Sequence, residues 1–423
     1  MIVFKFGGAS VNSAAAVRNM ADIVSRYKEQ RLAVVVSAMG KTTNRLERMV
    51  PGVANPDEVP ELLAELQEYH MAIVKELFDD GNNEVYNAVN ELFEQLRHAV
   101  DSAPSPTPQG YNADYDRVVS FGELISTTII SHYLNYIGLH NQWVDVRQII
   151  ITDTHHREGR VNWEATRQRT KVIGSMIDSG IMIVTQGFIA GATDGSTTTL
   201  GREGSDYSAA ILSHCLGAES MTIWKDVPGF LNADPKYFNN TVKISQIPYN
   251  EAIELAYYGA SVIHPKTAKP LQNSNIKLHI RSFVEPEAEG STVGPYDRIE
   301  PVTPLYIFRN QQVLLSIMPK DFSFIAEDNL QIIFGTLADI GVRVNMMQNS
   351  ALSFSVVVDD NTQLLDSMTT KLGHQFRVRY NRGLQLITIR NYTQEVIDSI
   401  VNHRPILLEQ RSRSTVQVLV TEG

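Results

Sequence analysis

The first 295 residues alternate between near-continuous apolar runs and segments with helical spacing. Runs rich in β-branched residues are typical of strands covered on both faces. Their alternation with helices predicts an α/β three-layer sandwich with a largely parallel sheet. In such sheets ligands bind beyond the carboxyl ends of the strands, so we expect a site in the polar segments that follow the runs. Besides the N-terminal run, the strand-like segments are LAVVVSA (32–38), QWVDVRQIIIT (142–152), MIVTQGFIA (182–190), ESMTIWKDV (219–227) and IKLHIRSF (276–283).

The remainder of the chain has a different organisation. Residues 57–101 predict a helical hairpin inserted in the first domain, and the proline-rich segment 102–116 predicts a loop. After a linker (294–304), VLLSIM, a helix around 330–340, VNMMQNS and LSFSVVVD suggest β-α-β-β, and LQLITIR, TQEVIDSIVN, PILLEQRS and TVQVLVT suggest the same order again. Small modules of this topology commonly pair their sheets to bind small effectors.

Composition excludes several classes of protein. Of the 423 residues, 43% are hydrophobic and 20% charged, which is ordinary for a soluble globular protein. The formal charge of -10 argues against a nucleic-acid partner, because phosphate contacts need basic clusters. The single cysteine, Cys215, fits a reducing compartment. The chain shows no apolar run of the ~20 residues that a spanning helix needs and no signal-peptide pattern. We therefore expect a cytoplasmic protein without a membrane partner.

The segment KFGGAS (5–10) places a lysine inside an apolar strand and two glycines directly after it. An unpaired buried ammonium costs several kcal/mol, so Lys5 indicates a nearby anion. Gly7 and Gly8 allow close approach of the backbone to a ligand, and helical spacing begins at Ser13. Strand, glycine turn and helix N-terminus together favour a phosphate site, although neither standard nucleotide fingerprint is present. A glycine turn with an exposed lysine head is the alternative interpretation.

Three charged residues in two other segments suit recognition of an amino acid. In GFIAGATDGSTTTLGREGSDYSAAIL (187–212), Arg202 and Asp206 lie four residues apart between a strand and a helix. Arg202 can bind a carboxylate or phosphate in bidentate fashion, and Asp206 can accept from an ammonium. Glu123 in FGELIS (121–126) begins an apolar helix. It either favours the helix dipole or completes the amino-acid site.

Further lysines follow the later strands. IWKDVPGFLNADPKYF (223–238) and YGASVIHPKTAKPL (258–271) supply them, and such lysines suit polyphosphate or form ordinary solvated turns. The sequence shows no Ser-His-Asp signature and no HExxH or CxxC spacing. The candidate site residues are lysines, glycines with their backbone amides, an arginine and carboxylates. This set suits phosphoryl transfer, in which positioning and charge neutralisation provide most of the catalysis.

Taken together, these motifs resemble the aspartokinases of the amino acid kinase family. KFGGAS, VVVSAMGKTTN, FGELIS, TQGFIAG with TTTLGREGSDYSAA, WKDVPGFLNADP and GASVIHPKT occur in the family's order. The resemblance implies an amino acid kinase domain at 1–295 and ACT regulatory domains, of the ferredoxin-like α+β class, at 303–370 and 371–423. The second ACT domain would stop after its third strand. The implied reaction is ATP-dependent phosphorylation of the β-carboxylate of L-aspartate.

The resemblance also implies roles for individual residues. The catalytic positions are Lys5, which would neutralise the transferring phosphoryl group, and Asp206. The substrate positions are Thr43, Glu123, Phe188, Arg202 for the α-carboxylate, and Asp206 with Glu123 for the ammonium. The ATP positions are Lys5, Gly7, Gly8, Lys225, Asp226, Leu231 and Lys236, with Mg²⁺ carried mainly by the nucleotide phosphates and no metal site of the protein's own. The attacking carboxylate is already ionised at pH 7, so no general base is required.

Several positions depart from the family pattern. A threonine hydroxyl is lost at Ala9, and Glu203 replaces a glycine beside the anion site. Lys225, Leu231 and Lys236 replace the usual threonine, tyrosine and arginine, and Ser261 stands where a lysine is often found. We hypothesise that Lys225 supplies the phosphate charge that Ser261 lacks.

The C-terminal third predicts regulation and assembly. Asn345, Asn349 and Ser350 lie at the expected effector turn, and lysine, threonine and no effector all stay open. An exposed sheet edge or face there would favour a homodimer or higher homo-oligomer. Two alternatives to an aspartokinase remain: a related kinase with another acceptor, and a catalytically weak effector-binding protein suggested by Ser261 and Glu203.

Overall fold

The computed structural model describes residues 1–78, 84–102, 104–105, 107–260, 263–321 and 323–422. The chain forms two compact units. The first contains Met1–Leu231, Lys243–Ile253 and residues 263–301. The second contains Asn232–Val242, residues 254–260 and residues 302–422. Short segments within the predicted first domain therefore belong to the second unit.

The main sheet of the first unit is largely parallel, as predicted. Its strand order is β11, β13, β12, β8, β1, β2, β5, β3, and the β12–β13 pair is antiparallel. The strands of residues 1–301 are β1 (Ile2–Phe6), β2 (Leu32–Val36), β3 (Asn141–Val144), β4 (Ile151–Thr152), β5 (Met182–Gln186), β6 (Ile189–Ala192), β7 (Thr197–Thr199), β8 (Ser220–Lys225), β9 (Phe230–Leu231), β10 (Lys243–Ile244), β11 (Gln246–Pro248), β12 (Lys277–Ser282) and β13 (Ser291–Gly294). A smaller sheet has the order β4, β6, β7, and β9 pairs with β10. Two predicted runs, 142–152 and 182–190, thus each supply strands to two sheets.

β1 is a central strand, and its alternating side chains separate two environments. Phe4 and Phe6 pack against the buried Trp224 ring, with ring centroids 5.6 and 6.1 Å apart. Successive side chains of a strand point to opposite faces, so Lys5 lies on the other side of the sheet. After a 3-10 turn at Gly8–Val11, the first α-helix begins where the sequence predicted: the Ser13 hydroxyl accepts from Ala16 N–H at 3.2 Å.

Helices surround the sheet. Those of residues 1–301 are α1 (Ala14–Ser25), α2 (Thr42–Glu47), α3 (Val59–Leu77), α4 (Glu84–Val100), α5 (Pro108–Val119), α6 (Phe121–Tyr136), α7 (Trp163–Asp178), α8 (Gly204–Leu216), α9 (Tyr249–Tyr258) and α10 (Pro265–Asn273). The apolar α6 is buried along nearly its whole length. α3 and α4 are the two helices predicted for residues 57–101.

The predicted loop at 102–116 is wrong over its second half, because α5 begins at Pro108. Thr107 caps this helix by accepting from Gly110 N–H at 3.1 Å, and Pro108 occupies its first turn. A proline is tolerated there because the first amides of a helix need no intrahelical partner. Pro108, one of the prolines that suggested a loop, therefore marks a helix start, and the helix carries Tyr115 and Asp116 in buried positions.

The second unit is built on an antiparallel sheet with the order β15, β16, β14, β17, β19, β18. Its elements are β14 (Leu305–Pro319), α11 (Glu327–Asp339), β15 (Val344–Asn349), β16 (Phe354–Asp359), α12 (Thr362–Leu372), β17 (Phe376–Arg390), α13 (Gln394–Val401), β18 (Ile406–Arg411) and β19 (Thr415–Thr421). The segments named from the sequence as strands and helices occur in that order. The boundary expected between residues 370 and 371 falls within α12.

Two long strands serve both halves of this sheet. Residues 312–319 of β14 pair with residues 376–384 of β17, while residues 305–309 pair with residues 386–390. One apolar core contains Val313, Ile333 and Phe376, and another contains Ile387 and Val418 with Tyr306 packed against it. The start of β14 thus adds a strand to the second half of the sheet. The second ACT domain predicted at 371–423 did not include this strand. Within the described residues, no helix is long and apolar enough to cross a membrane.

Candidate active site

Lys5 has the buried anion that its sequence position indicated. It lies near the carboxyl end of β1 at 8% exposure, and its Nζ is 2.7 Å from Oδ1 of Asp206. Asp206 is 3% exposed and lies in the first turn of α8. A buried charge of either sign requires such a partner, because desolvation of a lone ion costs several kcal/mol. The pair brings together the two residues expected to be catalytic.

A second lysine shares this carboxylate. Lys225, the last residue of β8, places its Nζ 3.9 Å from Oδ2 of Asp206. Burial alone would raise the pKa of Asp206, but Lys5 and Lys225 outweigh it and hold that pKa below its usual range. Asp206 is therefore ionised at neutral pH, and two cations converge on one carboxylate at the carboxyl end of neighbouring strands.

Glu123 differs from Asp206 because it has no cation in contact. Its Oε1 accepts from Ala38 N–H at 3.1 Å, whereas Oε2 is buried without a hydrogen-bond partner among the described residues. Burial raises the pKa of Glu123 to about 8, with smaller opposing effects from backbone hydrogen bonds and Lys5. A buried acceptor of this kind is costly unless a ligand uses it. Glu123 thus has one oxygen available to a ligand's donor group.

Two glycines make close approaches that no other residue would allow. A Cβ on Gly8 would lie 2.6 Å from the Ala38 carbonyl oxygen, and a Cβ on Gly204 would lie 2.7 Å from Cδ2 of Phe188. Phe188 itself has a left-handed backbone, with φ of 67°. These two glycines, of which the sequence analysis singled out Gly8, therefore let β1, the segment after β2 and the start of α8 converge around one space.

That space is a cavity of about 730 Å³ within the first unit. The predicted residues that line it are Lys5, Gly8, Thr43, Glu123, Phe188, Arg202, Asp206 and Lys225. Among the described residues, Gly7, Asp226 and Leu231 lie outside its lining. Lys236 is exposed and belongs to the second unit. The amino-acid part of the predicted site is thus assembled, whereas only part of the predicted ATP set borders the same cavity.

Comparison with known proteins identifies the family of the chain. Residues 1–282 match the model of the amino acid kinase family. The chain is 33% identical over 366 residues to chloroplastic aspartokinase 1 of Arabidopsis thaliana, covering 83% of this chain and 62% of that protein. It is 32% identical over 358 residues to lysine-sensitive aspartokinase 3 of Escherichia coli, covering 84% of this chain and 77% of that protein. The chain belongs to the aspartokinases of the amino acid kinase family.

A solved aspartokinase structure agrees over the full length. The structure of E. coli aspartokinase III in complex with aspartate and ADP matches with a TM-score of 0.84 and 28% identity. The match covers 100% of this chain and 96% of that one. The fold predicted from the sequence, an amino acid kinase domain followed by ACT-like domains, is confirmed. By contrast, the chain spans 62% of the length of the chloroplastic relative.

Two departures from the aspartokinase pattern lie in one cavity. Glu203 and Lys225 both line it, and they carry opposite charges. Glu203 has a left-handed backbone, with φ of 53°, at a position where the family commonly has glycine. Burial, followed by the charge of Asp206, raises the pKa of Glu203, and its Oε2 is buried without a hydrogen-bond partner among the described residues. Ser261, another of these departures, lies outside the described residues.

Sequence reasoning missed one wall of the aspartokinase cavity. Its members are Glu47, Tyr115 and Arg157. The Tyr115 hydroxyl donates to Oε1 of Glu47 at 2.5 Å, and the Arg157 guanidinium lies 4.3 Å from the centroid of the Tyr115 ring. Asp116 accepts from Arg157 N–H at 2.8 Å and from the Thr199 hydroxyl at 2.7 Å. Only Arg157 had a signal in the sequence, because its polar segment THHREGR (154–160) follows the run 142–152 and so the carboxyl end of a strand.

The three predicted effector residues of the second unit differ in their exposure and in their hydrogen bonds. The Asn345 side chain accepts from Arg309 at 2.9 Å and donates to Gln312 and Asp359, each at 2.8 Å. Asn349 and Ser350 are exposed at the end of the edge strand β15. Asn345 therefore acts as an internal link of the sheet in this structure.

Proposed function

We propose that this chain transfers the γ-phosphoryl group of ATP to the β-carboxylate of L-aspartate and forms 4-phospho-L-aspartate. The observation that carries the proposal is the convergence of Lys5, Lys225, Asp206 and Glu123 on one cavity, in a chain similar to an aspartokinase structure that holds aspartate and ADP. The reaction would be the first step of lysine, threonine and methionine biosynthesis.

The substrate's two charged ends meet opposite charges. Glu123, with its unpartnered Oε2, and the ionised Asp206 receive the α-ammonium group. Arg202 is exposed at the cavity and receives the α-carboxylate in bidentate fashion. Thr43 and Phe188 line the space between them. An ammonium beside Glu123 favours its charged form, so aspartate binding lowers the pKa of this carboxyl group.

The reaction needs charge neutralisation more than proton transfer. The aspartate β-carboxylate is an ionised nucleophile, and the phosphoryl group gains its main stabilisation from fixed positive charge. Lys5 and Lys225 supply that charge, and Gly8 lets the backbone approach the phosphates. Gly7, Asp226, Leu231 and Lys236 complete the proposed ATP contacts. Each lysine is held by Asp206 before substrate arrives, which fixes its position in advance.

We expect magnesium to enter this cavity bound to the nucleotide phosphates. The phosphates would hold Mg²⁺, and the buried Oε2 of Glu203 is a carboxylate oxygen of the type that this ion accepts. Bound there, the ion would neutralise phosphate charge.

The second unit is proposed to regulate the first. Residues 1–295 form the catalytic domain in this proposal, and residues 303–423 form two ACT modules that divide β14 and β17 between them. Asn345, Asn349 and Ser350 are the proposed effector residues. The E. coli relative is named lysine-sensitive, which favours lysine over threonine as the effector. Exposed edges at β15 and β18 favour a homodimer formed through this sheet, in the cytoplasm.

The decisive experiment measures ADP release from the purified chain with ATP and magnesium. L-aspartate, glutamate and N-acetylglutamate are compared as acceptors, and lysine and threonine are then added separately. We expect turnover with aspartate only, lowered about 10³-fold by Lys5→Met and retained by the variant Lys28→Met, which changes an exposed lysine. Absence of turnover with every acceptor, together with tight binding of an amino acid, would replace the kinase with the effector-binding protein.

A further inference from the structure

A second cavity lies in the first unit between α7, α8 and α10. Its volume is about 370 Å³, within the roughly 300–1,000 Å³ range of small-molecule sites. The residues that define this groove, called here the α7–α8–α10 groove, are Trp163, Arg167, Tyr207, His214, Lys266 and Lys269. None of the six lines the cavity that contains Lys5 and Asp206.

The groove is positive in a chain whose net charge is -10. Arg167, Lys266 and Lys269 line it, and no described acidic residue does. Arg167 and Lys266 have acidic neighbours outside the lining, Glu164 and Glu158, each 3.7 Å away. Both of these carboxylates are more than 60% exposed, so the pairs are weak. Lys269 is exposed and has no ion-pair partner within the described part of the chain. These cations can therefore turn to an anion at little cost.

Flat side chains form the rest of the wall. The Trp163 indole meets the His214 ring edge to face, with centroids 5.3 Å apart, and His214 Nδ1 is 2.6 Å from the Ser274 hydroxyl oxygen. Trp163 and Tyr207 are both half-buried, which leaves ring surface facing the groove. Aromatic faces beside cations suit a planar ring that carries a negative group.

We propose that the α7–α8–α10 groove is a second ligand site for a small molecule that joins a phosphate to a planar ring, of the class of a nucleoside monophosphate. Arg167, Lys266 and Lys269 bind the phosphate, and Trp163 with Tyr207 packs against the ring. The three cations favour a phosphate dianion over a singly charged carboxylate, because each cation adds an attractive charge interaction.

The groove adjoins the catalytic cavity through two connections within the first unit. Tyr207 follows Asp206 directly in α8, and Lys266 pairs with Glu158, which lines the catalytic cavity. An anion that recruits Lys266 would release Glu158 toward the substrate side. Occupation of the groove is therefore expected to change the KM for ATP or aspartate rather than to supply a catalytic group.

Titration calorimetry with the full chain tests the site. The probes are AMP, GMP and inorganic phosphate, and each is titrated into wild type, Arg167→Ala, Lys269→Ala and Trp163→Ala. We expect the monophosphates to bind, and each lost cation to weaken them about tenfold, as for one charged hydrogen bond. Trp163→Ala should weaken the nucleotides while leaving inorganic phosphate unchanged.

Two variants separate the groove from the catalytic cavity. Lys171→Ala removes an exposed cation one turn further along α7, outside the groove, and should bind AMP as wild type does. Lys5→Met disables the catalytic cavity and should also leave AMP binding intact. AMP binding that is lost in Lys5→Met but kept in Arg167→Ala and Lys269→Ala would overturn the proposal, because the nucleotide would then occupy the catalytic cavity alone. Absence of monophosphate binding at millimolar concentration, or equal affinity for inorganic phosphate and AMP, would also overturn it.

Discussion

The two units differ in how completely selected polar side chains are hydrogen-bonded. In the first unit, Glu123 and Glu203 each keep one buried carboxylate oxygen without a hydrogen-bond partner among the described residues. In the second unit, Asn345 uses both ends of its amide on Arg309, Gln312 and Asp359. Buried polar atoms are normally paired, so an unpaired one is either a loss of stability or a place for a ligand. The first unit is built to receive a ligand, whereas the Asn345 cluster is already complete.

The same contrast separates the buried charges. Asp206 is compensated by two lysines at one carboxylate, while Glu123 has its pKa raised to about 8 by burial. One carboxyl group is therefore fixed in its charged form, and the other changes its protonation near neutral pH. Substitutions in the catalytic cavity should chiefly alter kinetics and pH dependence, and substitutions in the Asn345 cluster should chiefly alter stability.

Lys5→Met should give the largest effect. It removes the buried cation that contacts Asp206, and with it the charge proposed to stabilise the transferring phosphoryl group. Loss of a preorganised charge of this type lowers turnover by about 10³-fold. Steady-state ADP release at saturating aspartate and ATP measures the change, with circular dichroism as a check of folding. Turnover within tenfold of wild type in a folded variant would show that Lys5 has only a structural role.

Glu123→Gln should remove a pH dependence that wild type shows. Below pH 8 the neutral carboxyl group predominates and cannot pair with the substrate ammonium, so the KM for aspartate should fall about tenfold per unit from pH 6 to 8 and then level off. At pH 8 the variant should have a KM raised by about 10 to 100-fold, as expected for one charged hydrogen bond. Initial rates at varied aspartate across this pH range give both numbers. An unchanged slope in the variant would place the titrating group elsewhere.

Much of this cavity was predictable because its signals are local. Lys5 within an apolar strand, Gly8 shortly after it and the Arg202–Asp206 spacing each lie in one short segment. The wall formed by Glu47, Tyr115 and Arg157 was not predictable, since its residues come from three separate segments that only the tertiary fold joins. The missed helix α5 has a different cause: Pro108 lies in its first turn, where a proline is compatible with both a helix and a loop.

In the second unit, the order of strands in the sheet could not be predicted from their order in the chain. Its strands and helices were predicted correctly, but the residues of a strand do not show which other strands it pairs with. The start of β14 pairs with the end of β17, some 80 residues later in the chain. Both strands are long enough to serve two halves of the sheet, and apolar patterning cannot reveal that division.

Lys225→Thr should have a moderate effect and tests whether this lysine contributes phosphate charge. Its Nζ lies 3.9 Å from Asp206, in the same cavity as Lys5. We expect the KM for ATP to rise about tenfold, as for one charged hydrogen bond, while Lys225→Arg keeps most of the affinity. Kinetics at varied ATP and fixed aspartate provide the measurement. An ATP KM near the wild-type value in Lys225→Thr would remove Lys225 from the proposed nucleotide contacts.

The smallest expected effects concern the stability of the unliganded chain, and their signs should be opposite in the two units. The folded-state pKa of Glu123 is raised above its unfolded value, so the folded chain keeps a proton that the unfolded chain loses. Stability is therefore lost as pH rises from 4.5 to about 8, and Glu123→Gln should raise the unfolding temperature at pH 8 but not at pH 4. Asn345→Ala leaves the amide of Gln312 and the carboxylate of Asp359 short of a partner, which should cost about 1 kcal/mol at either pH. Scanning calorimetry without ligands distinguishes the cases. If both variants were destabilised at pH 8, Glu123 would be a satisfied structural group like Asn345, and the functional contrast between the two clusters would fail.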